Sequence, residues 1–296
     1  MINNASIAFE QHFPNLASQY SLKPFQDKVI NQVIKQGSTL AVMPTGGGKS
    51  LIYWVAAKAL EGTCLVISPL IALIDEQAEK LTEEGLEVLA IHGGMGSSEQ
   101  MKQLKKFAKG ESKPDFIFAS PERMATDGFF EYCISQQSHH IKLVVIDEVH
   151  CISQWGFDFR PFYKHIPVFL NSVFKNEWPK ILGLTATINP RELVEISKDL
   201  NIPKKSILKD DVLLRHDIDL KVEKLSVEDE KKPRLWSIIQ DHPNEKILVY
   251  LYRKYHKGGV EDLCKNANEN GIKALSLHGD LSGKERQEII KEFREG

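Results

Sequence analysis

A chain of 296 residues, 42% hydrophobic and 26% charged, is long enough for two domains with cores of their own, which excludes a disordered or low-complexity protein. A formal net charge of −2 excludes a basic field over the whole surface, so any nucleic-acid contact must come from a local groove. No apolar run approaches the roughly 18 residues that a membrane span needs, the N-terminus lacks the pattern of a signal peptide, and Cys64, Cys133, Cys151 and Cys264 form no C-x-x-C pair. The expectation is a cytoplasmic protein with reduced, mostly buried cysteines, and without a membrane partner, a zinc site or a disulfide framework.

From residue 39 onward, short aliphatic runs alternate with segments of helical period: TLAVM (39–43), CLVIS (64–68), EVLAI (87–91), DFIFA (115–119), KLVVI (142–146) and KILGL (180–184). This alternation predicts an α/β domain with a parallel sheet and flanking helices, and continuous runs such as LVVI suit strands buried on both faces. Asn189-Pro190-Arg191-Glu192 predicts a helix start with an N-cap, a proline at the first position and a capping glutamate; Ser282 with Glu285 repeats the box. Between 201 and 235 the apolar pattern thins and charge rises, which suits a segment between domains. The expected organisation is a first domain over 1–210, a linking segment over 211–235 and a second domain over 236–296. Strands are expected there at 246–251 and 272–277, with helices near 259–270 and from 283. Two strand–helix units before Gly296 are too few to close a doubly wound sheet, so a truncated second domain is expected.

MPTGGGKS (43–50) sits between a buried strand and the helical segment LIYWVAAKAL, the setting in which a glycine-rich loop cradles phosphates with backbone N–H groups. Thr45, Gly46, Gly47 and Gly48 would form the cradle, Lys49 would neutralise the β- and γ-phosphates, and the Ser50 hydroxyl would complete a magnesium shell. Met43 stands where the strict phosphate-loop pattern has its first glycine. KLVVIDEVH (142–150) ends a strand in two acids, at the carboxyl edge where open α/β sheets bind ligands. Asp147 suits contact to magnesium, and Glu148 suits a general base for the attacking water.

MPTGGGKS, DEVH (147–150) and Thr185-Ala186-Thr187, in this order and spacing, resemble motifs of superfamily-two helicases. The resemblance implies two RecA-like domains, the second partial in this chain, use of ATP with Mg2+, and a place for His150 among the catalytic residues. SPLIALIDEQ (68–77), with Ser68 and Pro69, and ASPERM (119–124) resemble the family's segments that contact the nucleic-acid backbone. CISQWGFDFRPFY (151–163) looks like the aromatic-rich loop of RecQ-like DNA helicases, and narrows the resemblance to them. Aromatic rings interleaved with an arginine offer stacking faces and a cation–π or phosphate partner for single strands. Gln154, Trp155, Phe159 and Arg160, with Thr185, Ala186 and Thr187, are the residues assigned to DNA contact or coupling; Phe157 and Phe162 depart from the family's usual histidine and acid. SLKPFQDKVI (21–30) resembles the adenine-recognition element, with Lys23 and Gln26 at the matching positions. KILVYLYRK (246–254) and LHGDLSGKERQEIIKEFREG (277–296) resemble the start of the second helicase domain.

The resemblance implies an ATP-dependent DNA helicase moving 3′ to 5′ along single-stranded or forked DNA. Because the later second-domain motifs, including an arginine finger, are absent, the 296-residue chain is expected to bind ATP but unwind poorly. A nucleotide-switched DNA-binding or assembly module of a larger complex remains the alternative. A small-molecule kinase needs neither Thr185-Ala186-Thr187 nor the aromatic loop. The residues alone leave RNA open as substrate.

Overall fold

The structure, a computed structural model, describes residues 4–92, 97–153, 160–175, 177–211 and 218–295. It divides into two compact units, Met1–Ile218 and Asp219–Gly296. The first is built on a parallel sheet of seven strands: β1 Thr39–Val42, β2 Thr63–Ile67, β3 Val88–Ile91, β4 Phe116–Ala119, β5 Ile141–Ile146, β6 Lys180–Thr185 and β7 Ile207–Lys209. Their spatial order is β3-β4-β2-β5-β6-β1-β7, with neighbours in parallel register throughout.

Side chains along each strand alternate between two separate cores. Leu65, Ile67, Val144 and Ile146 face one, packed under the helices 97–108, 128–136, 166–174 and 190–199. Cys64, Val66, Leu143 and Val145 face the other, under the helices 5–12, 24–36, 49–60 and 71–83. Burial on both faces is why the strands read as unbroken apolar runs instead of alternating ones.

The helix Pro190–Asp199 starts as its sequence predicts. Asn189 Oδ1 accepts from the N–H groups of Arg191 (2.9 Å) and Glu192 (3.0 Å), and the Glu192 carboxylate accepts from Asn189 N (2.7 Å). Three donors at the helix start are thereby satisfied, and the turn after β6 is fixed relative to the helix.

The six strands expected in the first unit all form, and β7 is an addition. It adds parallel to β1 at the sheet edge, and Asp210 N donates to Val42 O (2.9 Å). Its three residues lie inside the charged stretch KKSILKDD, so no apolar period announces it. The helix Lys231–Asp241 likewise begins inside the segment expected to be a linker.

The second unit carries that helix and the helices Val260–Glu269 and Gly283–Glu295, the last opened by the expected Ser282–Glu285 box. The strands expected at 246–251 and 272–277 are not formed. A strand is stable only against a partner, neither run has a ladder among the described residues, and Leu248, Tyr250 and Tyr252 are exposed. Among the described residues, no helix is long and apolar enough to cross a membrane.

Candidate nucleotide-binding site

Strand order brings the motifs together. β1, β6, β5 and β2 lie side by side, so the segments that follow them meet along one carboxyl edge: 43–50 after β1, 186–187 after β6, 147–150 after β5 and Ser68 after β2. Backbone bonds seal the edge, with Met43 N donating to Thr185 O (3.0 Å) and Asp147 N to Ile67 O (2.9 Å).

The loop 43–48 turns tightly, Gly47 N donating to Pro44 O (3.1 Å), before Lys49 opens the helix Lys49–Leu60. Met43 is buried beneath it, and a Cβ on Gly47 would stand 2.8 Å from Met43 Cε and 2.9 Å from Pro44 O. The departure from the strict loop pattern thus gives the loop an apolar floor, while the tight turn itself, through Pro44 O, demands glycine at 47. Gly48 has φ +81°, and a Cβ there would collide with Gln26 Nε2. Gly48→Ala combines backbone strain with this clash, and is expected to cost about 1–3 kcal/mol and to abolish nucleotide binding, read by denaturant unfolding and by nucleotide titration. An alanine variant with wild-type stability and affinity would show that the loop repacks freely.

Gln26 is buried, and its amide is engaged with the loop. Nε2 donates to Gly47 O (3.0 Å) and Gly48 O (3.3 Å), and Oε1 accepts from Lys23 N (2.8 Å). The expected adenine-reading residue therefore also holds the glycine loop, and its Oε1 retains a second lone pair that an adenine N–H could use; the side chain of Lys23 is exposed. Thr45 and Gly46 are exposed, and Ser50 is half-buried beside Lys49.

Lys49 and Glu148, 99 residues apart in sequence, form an ion pair of 2.7 Å. Glu148 has φ +47°, a left-handed conformation that is costly for a residue with a side chain and collects at functional sites. Burial pushes the Glu148 carboxyl up, but hydrogen bonds from His150 and Lys49, with the Lys49 charge, outweigh it and hold the pKa at about 2. Burial raises Asp147, with Lys49 opposing and Glu148 reinforcing the shift, and Ser68 Oγ donates to its Oδ2 (3.4 Å).

His150 Nδ1 lies 2.8 Å from Thr185 Oγ1 and 3.4 Å from Glu148 Oε2. Because Thr185 Oγ1 already donates to Thr187 O (2.8 Å), the proton of the first contact belongs on Nδ1. Contacts with the Cys151 sulfur and then with the Glu148 carboxylate push the His150 pKa up to about 10.

These shifts make stability depend on pH. The contribution of Glu148, whose pKa is lowered from 4.5 to about 2, is present above pH 4.5 and lost as pH falls toward 2. That of His150, raised from 6.5 to about 10, is complete below pH 6.5 and lost as pH rises through 10. His150→Asn is therefore expected to lower the melting temperature by about 2–6 °C near neutral pH or below, and the gap to the wild type should close toward alkaline pH. A pH-independent gap would contradict a charged His150.

Of the residues expected to contact nucleic acid, Ser68 and Thr185 are buried and serve the acids, Ser68 through Asp147 and Thr185 through His150. Pro69 and Ala186 are half-buried; Leu70, Ile71 and Thr187 are exposed. Gln154, Trp155 and Phe159 lie outside the described residues. Arg160 is half-buried, with its N–H on Cys151 O (3.2 Å). Sequence reasoning missed what Tyr163 does: it is fully buried and its hydroxyl donates to Asp147 O (2.9 Å), holding the acidic turn from behind. No local pattern signals that contact. Cys64, Cys133 and Cys151 are buried and Cys264 is half-buried; all are free thiols.

The family model of DEAD/DEAH box helicases matches residues 23–196, and that of the helicase conserved C-terminal domain matches 230–296. The chain is 33% identical over 270 residues to the ATP-dependent DNA helicase RecQ of Bacillus subtilis, covering 90% of this chain and 43% of that protein. It is 33% identical over 290 residues to the ATP-dependent DNA helicase Q-like 5 of Arabidopsis thaliana, covering 94% of this chain and 30% of that one. The chain thus spans less than half of these relatives. Among solved structures, a hypothetical ATP-dependent RNA helicase from Sulfolobus tokodaii superposes with a TM-score of 0.54 at 21% identity, over 98% of this chain and 80% of that one, a likeness of fold alone. The chain belongs to the DEAD/DEAH box helicase family, and within it resembles the N-terminal part of the RecQ helicase core.

Proposed function

We propose that the chain is the ATP-hydrolysing part of a RecQ-type DNA helicase, whose turnover is stimulated by single-stranded or forked DNA. The observation that carries the reading is the Lys49–Glu148 ion pair, which sets the loop cation against the strand-end acid across the sheet edge.

The residues fit a nucleotide triphosphate. The loop holds glycine where a Cβ would close it, Lys49 supplies a cation, and Asp147 and Glu148 supply two carboxylates of different electrostatic setting. Ser50 and Asp147 would hold Mg2+, which neutralises phosphate charge when bound. A γ-phosphate competes with Glu148 for Lys49. As Lys49 turns to the phosphate, Glu148 loses one of the two cations that depress its pKa and becomes a stronger base, able to take a proton from the attacking water on its carboxylate oxygen. His150, bonded to both Glu148 and Thr185, ties the state of that carboxylate to the turn before the helix 190–199.

Aromatic-loop residues Trp155 and Phe159, with Gln154 and Arg160, are proposed to take the single strand, and 3′-to-5′ movement follows the RecQ resemblance. We infer a cytoplasmic setting from the free thiols. The relatives described above are helicases by name, which supports the motor over a nucleotide-switched assembly module. ATP turnover of the purified protein, with and without single-stranded DNA, tests the reading. Stimulation by DNA is expected; turnover indifferent to DNA would overturn it.

A further inference from the structure

Outside the nucleotide site, a cluster of charged side chains joins the two flanks of segment 154–159 to the helix Pro190–Asp199. On one flank Ser153, fully buried, donates through Oγ to Glu195 Oε2 (2.5 Å). On the other, Lys164 donates to Glu195 Oε1 and to Asp199 Oδ2 (2.9 Å). Glu195 is thus shared between the flanks, and Arg160 N on Cys151 O draws their bases together. The helix that carries Glu195 is capped by Asn189, two residues beyond Thr187, and Thr187 is bonded to Thr185 and through it to His150.

An exposed ion pair counts for little, but here the Lys164, Glu195 and Asp199 side chains are 25%, 21% and 28% exposed, and Lys164 bridges both carboxylates. Glu195 and Asp199 stand one helical turn apart on the same face, and Lys164 offsets the repulsion between their like charges. Losing the cation would therefore disturb the last turn of the helix and the anchor of Ser153 together.

We propose that Lys164 and Glu195 are positioning residues for nucleic-acid-stimulated turnover: they clamp the described ends of the aromatic segment to the helix that begins at the Thr185–Thr187 turn. The inference rests on the proposed DNA-stimulated ATPase. Neither residue touches the nucleotide site, so the clamp acts on the transmission of the nucleic-acid signal and leaves basal hydrolysis alone.

The test is ATP turnover of the purified protein at saturating ATP, titrated with an unstructured single-stranded oligonucleotide. In Lys164→Met the stimulated rate is expected to fall roughly 5- to 50-fold while the basal rate stays within about twofold. Lys164→Arg should recover most of the stimulation. Glu195→Gln should lower it too, and the double variant Lys164→Met/Glu195→Gln should fall less than the product of the single losses, because both remove one cluster. Stimulation at the wild-type ratio in Lys164→Met overturns the clamp. So does an equal fall of basal and stimulated rates, which marks plain support of the fold. A wild type that DNA does not stimulate overturns the functional reading itself, and the clamp with it.

Discussion

Lys49→Ala is expected to lower ATP turnover about 10²- to 10³-fold while lowering the melting temperature by only about 2–6 °C, from loss of the ion pair with Glu148. Lys49 is the first residue of the helix Lys49–Leu60, its side chain is 15% exposed, and it is ion-paired with Glu148. The buried face of the helix, Ile52, Val55 and Ala56, does not include Lys49, so that face stays packed. What disappears is the cation that the proposed mechanism moves from carboxylate to phosphate. Glu148 keeps His150, and its pKa rises with the loss of Lys49, which eases the cost of the unpaired acid. Steady-state turnover beside a thermal melt checks both halves. Turnover within about threefold of the wild type would remove Lys49 from the proposed chemistry.

Glu148→Gln is expected to cut kcat by about 10²- to 10⁴-fold, to leave nucleotide binding intact, and to erase stimulation by DNA. The amide keeps the size of the side chain and its place in the turn, while the basic oxygen is gone. The left-handed backbone at residue 148 is equally strained in both proteins, so it does not confound the comparison. The variant also separates the two acids. If Asp147 took the proton instead, Glu148→Gln would retain most of its turnover and Asp147→Asn would not. Rapid-quench turnover with a fluorescent nucleotide titration resolves binding from chemistry.

Much of the first unit was legible in its sequence. Period-two burial on both faces, as in Cys64–Ile67 and Leu143–Ile146, leaves an unbroken apolar run that a parallel sheet explains, and Asn189-Pro-Arg-Glu encodes its own cap within four residues. β7 escaped because an edge strand of three residues needs little apolar character when one side is already paired to β1. The runs 246–251 and 272–277 have the composition of strands without the ladder, since pairing belongs to two strands and not to one.

By itself, the sequence determined the chemistry on offer: a glycine loop with Lys49 and Ser50, and the adjacent acids Asp147 and Glu148. The tertiary structure decided how these groups meet. The order β1-β6-β5-β2 closes a gap of 99 residues into a 2.7 Å ion pair, turns Thr185 and Ser68 inward to the acids, and sets the Gln26 amide against the glycine loop. Periodicity and caps are local, written within one or two turns of chain. Which strand ends become neighbours depends on packing both faces of the whole sheet at once, and no local pattern carries that information.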